Sequence, residues 1–475
     1  MKKYFWFLVF LFIISRFCFL ANYPHFYDSP EYLRESLSPN FFISLRSSHE
    51  VVHPVWLFFT QIFQRIISQP TSWELSLIAA LFGLISTIVF YLLIKRNFHQ
   101  RVALFSLVPL IFFPHLWLIQ TNVLHESLDA GLFLVSLLFF DFFLERKKFY
   151  WLVLTVIFLS LAIFDFVGIL LWSPVFIGLA ILRSKKINWS NITWSLGVIF
   201  ISFVFAVWSL YFLEARLKVL LFDYGGRGIL SGWSSLNILR MLRNDILILF
   251  YGYSLSAILV LIISVAYFFK KKNWPVLIFF LSFFLPFLIT GKFWYGGLFG
   301  RYSALIAYPL ALLLGIMPWR KIYWILIVII ILTFLPTFWA YQKTPIPKIQ
   351  ASLIDKIGLK EKDILVLSDY QRPQLDYYQA LYIHGDEEIE KRVEEKITKN
   401  LLNGGRVFIS QQALTFPYWQ YDGQQIHIIS KGNKIPLFYK GKTDKSQLKE
   451  FLKDRDLKIV AEDKNYPQLT IYQLE

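Results

Sequence analysis

The stretch "YDSPEYLRES" (27–36) sets two carboxylates, Asp28 and Glu31, three residues apart just after a long apolar run. A carboxylate there can take a proton from a hydroxyl or hold a metal ion. Tyr32 follows, and His53 stands directly before Pro54 in the same connection. Further on, "NVLHESLDAG" (122–131) supplies His125, Glu126 and Asp129, whose spacing puts all three on one helix face. Asp165 sits in a tight hairpin, and Arg227 lies in the glycine-rich "LLFDYGGRGILSGW" (220–233). Lys292 and Arg301 bracket "FWYGGLFG" (293–300), with Tyr302 next. Arginine and lysine at a membrane surface hold phosphate, and arginine does so with two donors at once. Acids that accept a proton, beside cations that neutralise a phosphate, suit a lipid-phosphate substrate.

The elements that must carry these residues are membrane helices. The chain is 56% hydrophobic, with 49 phenylalanines and a mean hydropathy of +0.52. Its apolar residues fall in blocks of about 16–24 that end in charges, the pattern of helices crossing lipid. About eleven spans are expected near 4–20, 75–94, 102–119, 124–144, 150–164, 166–182, 192–213, 246–269, 274–290, 302–318 and 322–341. The net charge of +16 is not a nucleic-acid signal, because its basic clusters recur at every second block boundary. Lys2-Lys3, "KRNFHQR" (95–101), "ERKK" (145–148), "RSKK" (183–186), "KKK" (270–272) and "WRK" (319–321) mark the cytoplasmic side. The N-terminus is therefore expected in the cytoplasm, on an uncleaved anchor whose Arg16 snorkels to the outer interface, and the C-terminus outside. A single cysteine, Cys18, excludes an intrachain disulfide.

On this topology the polar outliers from five connections all face the outer leaflet. Two outer loops are long, 21–74 and 214–245. "HPVWLFFTQIFQRII" (53–67) in the first reads as a helix in the interface plane, and "SSLNILRMLRND" (234–245) as another short amphipathic helix. After 1–341 comes the linker "QKTPIPK" (342–348) and a soluble pattern. Strands are expected at 363–368, 406–410, 426–430, 457–462 and 469–473, with helices in "EEIEKRVEEKITKNLL" and "KSQLKEFLKDRD". Residues 342–475 thus form an extracytoplasmic α/β domain, which carries no nucleotide-binding glycine motif, no nucleophile elbow and no metal-spaced Cys/His set.

Plainer roles fit the same residues. Asp28 or Ser29 with Pro30 makes a good helix start, and Asp165 suits the cap of the sixth span. Asp129 fits an internal pair within the bundle, His49 and His53 fit structural positions, and Arg301 fits an interfacial anchor. "NIT" (191–193) matches a glycosylation acceptor but falls on the cytoplasmic side.

Four motifs together resemble the GT-C superfamily of membrane glycosyltransferases, the group of the protein O-mannosyltransferases and the aminoarabinose transferases of lipid A. They are "DSPEY" (28–32), "HP" (53–54), "HESL" (125–128) and "RYSALIAYP" (301–309), in the family's order. The resemblance implies a polytopic helical fold and transfer of a sugar from a polyprenyl-phosphate donor to a hydroxyl acceptor on a protein, lipid or glycan. By the resemblance Asp28 is the catalytic base, Glu31 or Glu126 assists it, and Arg301 binds the donor phosphate. Tyr32, His53, His125, Asp165, Arg227, Lys292 and Tyr302 are taken as substrate-binding. With no metal set in the sequence, a metal-independent reaction is favoured over a divalent ion. A flippase for lipid-linked sugars would need broken helices and a midplane site. A scaffold or sensor working through its outer domain would leave the membrane acids without purpose. Oligomeric state is left open.

Overall fold

The computed structural model describes residues 2–22, 29–37, 40–42, 53–67, 71–212, 239, 242, 245–246, 248–290, 301–343, 346–368, 380–383, 387–415, 447–464 and 469–475. The chain divides into two compact units. One comprises Met1–Ala21, Glu35–Trp294 and Phe299–Leu335; the other comprises Asn22–Arg34, Tyr295–Leu298 and Pro336–Glu475.

The first unit is a helix bundle. Its helices are α1 (Lys2–Phe17), the last three residues of α2 (Ser29–Leu37), α3 (Pro54–Ile66), α4 (Ser72–Asn97), α5 (Gln100–Phe112), α6 (Pro114–Thr121), α7 (Glu126–Arg146) and α8 (Phe149–Asp165). They continue with α9 (Pro174–Ser184), α10 (Trp189–Phe212), α11 (Leu255–Lys270), α12 (Trp274–Thr290), α13 (Ala307–Ile316) and α14 (Arg320–Lys343). Each apolar block read from the sequence is helical. Several carry a distorted start: 3-10 turns at Val167–Trp172 and Arg301–Ile306, and a π turn at Ile248–Gly252. Among the described residues, four segments are long and apolar enough to cross a membrane: Ser72–Asn97, Glu126–Arg146, Val167–Ser184 and Trp189–Phe212. Helices α5 and α6, bent by 70° at their junction, pass the same test together, as a broken span or a re-entrant loop.

Lipid as solvent explains which faces are covered. Helix α10 exposes Phe200, Phe205, Trp208 and Tyr211, as a lipid-facing helix can. It buries Asn191, Ser195, Ser202 and Ala206, a row of small and polar residues that lets its backbone approach α8 and α9. Helix α7 is buried nearly all round, packed by α4 and α8. One end of α7 is pinned by charge. Arg96 at the end of α4 bonds Asp141 at 2.5 Å and also Glu145, while Arg183 of α9 bonds Glu145 at 2.7 Å. Three of the basic boundaries read from the sequence thus meet on one side of the bundle. The other end of this 21-residue helix, about 25 Å along the axis, carries His125 and Glu126.

Arg16 does not reach an interface, contrary to the snorkelling expected from its place near a span end. It is fully buried, and its guanidinium donates to the carbonyls of Ile111 (2.6 Å) and Leu110 (3.0 Å) and to Gln120 Oε1 (3.1 Å). The reason lies in the α5–α6 break. Pro114 has no N–H, so the Leu110 carbonyl four residues earlier loses its helical donor, and the bend takes His115 from the Ile111 carbonyl. Arg16 supplies both bonds. Trp117 Nε1 donates to the Ser15 carbonyl at 2.6 Å, tying α1 to α6 a second time.

The second unit is an α/β domain. It contains α15 (Ile346–Ile357), β1 (Ile364–Ser368), β2 (Ala380–Ile383), α16 (Glu387–Leu402), β3 (Val407–Ser410), α17 (Gln411–Thr415), α18 (Gln447–Phe451), β4 (Leu457–Ala461) and β5 (Ile471–Leu474). The sheet order is β2-β1-β3-β5-β4; β1 runs parallel to β2 and β3, and β5 antiparallel to β3 and β4. Alternation along the strands sends Val366, Val407 and Ile409 to one core with Val393, Ile397 and Leu448, and Leu365, Leu367 and Phe408 to another with Leu353 and Ile354. Both faces are therefore covered by helices. Strand β2 was not foreseen, and the strand expected at 426–430 lies outside the described residues.

Candidate active site

The described part of the site is built from three connections of the helix bundle. Helix α3 begins with Pro54 at its first position, so its first free N–H groups belong to Val55 and Trp56. His53, at the cap position, offers no side-chain cap to them. Asp165 does, from the C-terminal end of α8: its Oδ1 accepts from Val55 N at 2.7 Å and Trp56 N at 2.9 Å. A carboxylate at the end of its own helix is poorly placed against that helix's dipole, and the start of α3 compensates it. This corrects the expectation that Asp165 caps the sixth span; the 3-10 turn that follows it has Phe166 at its cap, with no side-chain bond. In return, His53 Nδ1 meets the Asp165 backbone carbonyl at 2.9 Å. A carbonyl only accepts, so Nδ1 carries the proton and Nε2 of His53 is the acceptor nitrogen.

The start of α7 completes the cluster. His125 Nδ1 bonds Asp129 Oδ2 at 2.7 Å, one helical turn on, and its Nε2 lies 3.4 Å from Glu126 Oε1. Here the partner is a carboxyl group, which can accept from the ring or donate to it. The His53 and His125 rings stack with centroids 3.5 Å apart, and Phe166 closes the edge at 5.7 Å from His125. His53, His125, Glu126, Asp129 and Asp165 are all buried. Asp129 and Asp165 come within side-chain hydrogen-bonding reach of each other. Asp129 Oδ1 and Asp165 Oδ2 have no donor among the described residues. One ligand atom from each of His53, His125 and Asp165 lies within 4.8 Å of the others, so among the described residues these three could hold a metal ion.

The structure thus brings together four residues singled out in the sequence for catalysis or substrate binding, His53, His125, Glu126 and Asp165. It adds Asp129, read there as an internal partner. Tyr32 is buried on α2. Glu31 lies on α2, and Arg301 and Tyr302 lie on the 3-10 turn before α13, but only their backbones are described. Asp28, His49, Arg227 and Lys292 lie outside the described residues. Asp245, at the end of the second long loop, was not foreseen. It is buried, burial pushes its carboxyl up to about 8, and neither carboxyl oxygen has a donor among the described residues. Its only sequence signal is an acid one residue before an apolar block. The metal-capable trio left no signal either, because its members come from three connections and share no spacing.

The sequence profile of the dolichyl-phosphate-mannose-protein mannosyltransferase family (PMT_2) matches residues 51–211. No curated protein matches the chain. Among solved structures, ArnT from Cupriavidus metallidurans bound to undecaprenyl phosphate is similar at 12% identity and a TM-score of 0.58, covering 100% of this chain and 97% of that one. ArnT in the apo state gives 13% identity with the same coverage and TM-score. The Archaeoglobus fulgidus oligosaccharyltransferase in the apo form covers 90% of this chain and 71% of its own, at 12% identity and a TM-score of 0.49. The chain has the fold of the GT-C membrane glycosyltransferases, with an α/β domain at its C-terminal end.

Proposed function

We propose that this protein is a glycosyltransferase that moves a sugar from a polyprenyl-phosphate-linked donor to a hydroxyl acceptor at the outer face of the membrane. The observation that carries the reading is a coincidence of position. The segment matching the mannosyltransferase family, 51–211, holds the whole buried cluster of His53, His125, Glu126, Asp129 and Asp165. A bundle of this kind has little reason to bury three carboxylates and two imidazoles at one end except for a reaction there. The ArnT likeness, in a form bound to undecaprenyl phosphate, supports a polyprenyl phosphate as the leaving group.

In this reading Asp28 accepts the acceptor hydroxyl's proton as its oxygen forms a bond to the anomeric carbon. The bond from that carbon to the phosphate oxygen breaks, and polyprenyl phosphate leaves with the electron pair. Arg227, Lys292 and Arg301 neutralise the leaving phosphate, while Glu31, Glu126, Tyr32 and Tyr302 orient sugar and acceptor. The basic clusters put the N-terminus in the cytoplasm and residues 342–475 outside. The C-terminal domain binds acceptor, covers the cleft or recruits a partner.

The test is reconstitution of the full chain in liposomes with short-chain polyprenyl-phosphate hexoses and pentoses, scored by release of polyprenyl phosphate. Release is expected with at least one sugar. Asp28→Asn should abolish it in a folded protein, and Arg301→Ala should mainly raise the donor KM. Unchanged turnover in Asp28→Asn removes that acid from the mechanism. The α5–α6 break favours one rival, movement of the lipid-linked sugar across the bilayer, since transporters place sites at broken helices. Protected donor appearing on the far side of the liposome, with no release of lipid phosphate, would establish that rival instead.

A further inference from the structure

At the basic end of the bundle, Arg96 and Arg183 share Asp141 and Glu145. Arg101 and Arg320 are treated differently. Neither pairs with an acid among the described residues, yet both lean on one ring. The guanidinium carbon of Arg320 lies 4.0 Å from the centroid of Phe105, and that of Arg101 lies 5.9 Å from it. The two charges are close enough to act on each other, and they repel. Tyr323 holds the ring in place: its hydroxyl donates to the Phe105 carbonyl at 2.8 Å, and the two rings meet edge-on at 5.0 Å. Arg320 Nη1 is shielded from solvent and has no acceptor among the described residues. Each arginine also stands in the first turn of its helix, α5 or α14, and neither turn contains an acid. The unpaired N–H groups of a helix start are themselves positive, so a cation there is at the unfavourable end. Two like charges on one aromatic support, at two positive helix ends, need an anion.

The surface below them says which anion. Helix α14 runs on from Arg320 with Ile322, Ile325, Val328, Leu332 and Leu335 exposed, a strip at helical spacing. It is about 20 Å long, more than one leaflet of a hydrocarbon core of about 30 Å. Trp319 and Trp324 flank Arg320 and are exposed as well, as tryptophans at a bilayer boundary are. A phosphate carrying apolar chains matches cations at the head of an apolar strip. We propose that Arg101 and Arg320 bind the phosphate of an anionic phospholipid, in the leaflet that the basic boundaries face, with its acyl chains along the exposed strip of α14. Basic pockets between membrane helices on the cytoplasmic side take such headgroups, and a guanidinium can give a phosphate two donors at once. A zwitterionic headgroup suits the site less, because it brings its own cation beside two arginines. Nothing in this binding depends on the transferase reading.

The full chain, delipidated in a nonionic detergent, is titrated separately with palmitoyl-oleoyl phosphatidylglycerol, with the phosphatidylcholine of the same chains and with inorganic phosphate. Adducts are followed by native mass spectrometry. A retained phosphatidylglycerol is expected that neither of the others displaces. Arg101→Gln and Arg320→Gln should each weaken its retention about 5-fold, and the pair about 30-fold, the scale for one and two basic residues at an anionic surface. Lys186→Gln removes the same charge at another basic boundary and should bind like wild type. Thermal unfolding without lipid checks the fold of each variant. Arg101 is exposed, so its variant decides the matter if Arg320→Gln does not fold. Unchanged retention in folded Arg101→Gln overturns the proposal. So does equal retention of phosphatidylcholine, which would leave the apolar strip as the whole cause, or displacement by inorganic phosphate, which would make this a free-phosphate site. An equal loss in Lys186→Gln would reduce the effect to diffuse attraction and overturn it too.

Discussion

Replacing Arg16 by methionine tests whether a buried cation holds the broken span together. Arg16 donates to the Leu110 and Ile111 carbonyls, left without helical donors by Pro114 and the 70° bend. Methionine keeps the apolar stem and most of the volume but donates nothing. Two orphaned buried carbonyls cost about 1–3 kcal/mol each, so the gross loss is about 2–6 kcal/mol. Removing a guanidinium that no longer has to be desolvated returns part of this. A net loss of about 3 kcal/mol follows, or a fall in Tm of about 6–12 °C on the scaling for domains of this size. Gln120 sharpens the case. It accepts from Arg16 Nε, and its side chain packs so closely on Gly83 that a Cβ there would meet it at 2.8 Å. It has little room to turn and satisfy the carbonyls itself. Arg16→Lys keeps the charge but one ammonium cannot span both carbonyls and Gln120, so it should fall between the two. The assay is thermal unfolding in detergent followed by tryptophan fluorescence. Arg16→Met within about 2 °C of wild type, or Arg16→Lys equal to wild type, would refute the argument that the fork holds the break.

Asp165→Ala removes the acceptor for the Val55 and Trp56 N–H groups and should loosen the start of α3 by about 2–3 kcal/mol, whereas Asp165→Asn keeps one carbonyl oxygen and most of the cap. Faster hydrogen exchange over residues 53–60 in the alanine variant alone would show it; equal exchange in both would count against the cap. In the α/β domain, burial pushes the Asp363 carboxyl up. Bonds from the Arg406 side chain and from the Lys360 and Arg406 N–H groups outweigh that and hold it below the usual carboxylate range. A depressed folded pKa contributes stability above the unfolded value of about 4 and loses it as pH falls through the folded value. Denaturant unfolding between pH 7 and 3 should therefore show a steeper acid loss in wild type than in Asp363→Asn. The difference at pH 7 should be about 1–2 kcal/mol, because the guanidinium is partly exposed. Parallel pH curves would remove Asp363 from the acid transition.

What the sequence carried and what it hid divide along one physical line. Helical segments follow from apolar block length, so each block read from hydropathy is mostly helical among the described residues. The i, i+4 contact of His125 with Asp129 was likewise legible, because helix periodicity alone sets it. Contacts between connections have no such period. His53, His125 and Asp165 are 72 and 40 residues apart in turn, and only the folded order of α3, α7 and α8 brings them together. Distance in sequence also hid the true partner of Arg16. A span-end arginine ordinarily reaches for the interface, but Pro114 elsewhere in the chain had freed two carbonyls within its reach. The lesson is specific to lipid. There a polar group that cannot reach water must find another polar group, so one misplaced proline and one misplaced arginine predict each other. The same argument applies to Asp129 and Asp165. Neither has a cation among the described residues, and a bundle that fastens its opposite end with Arg96, Arg183, Asp141 and Glu145 shows how it pairs acids when pairing is the aim. The acids at the His125 end are held by hydrogen bonds instead, Asp129 to His125 and Asp165 to the start of α3.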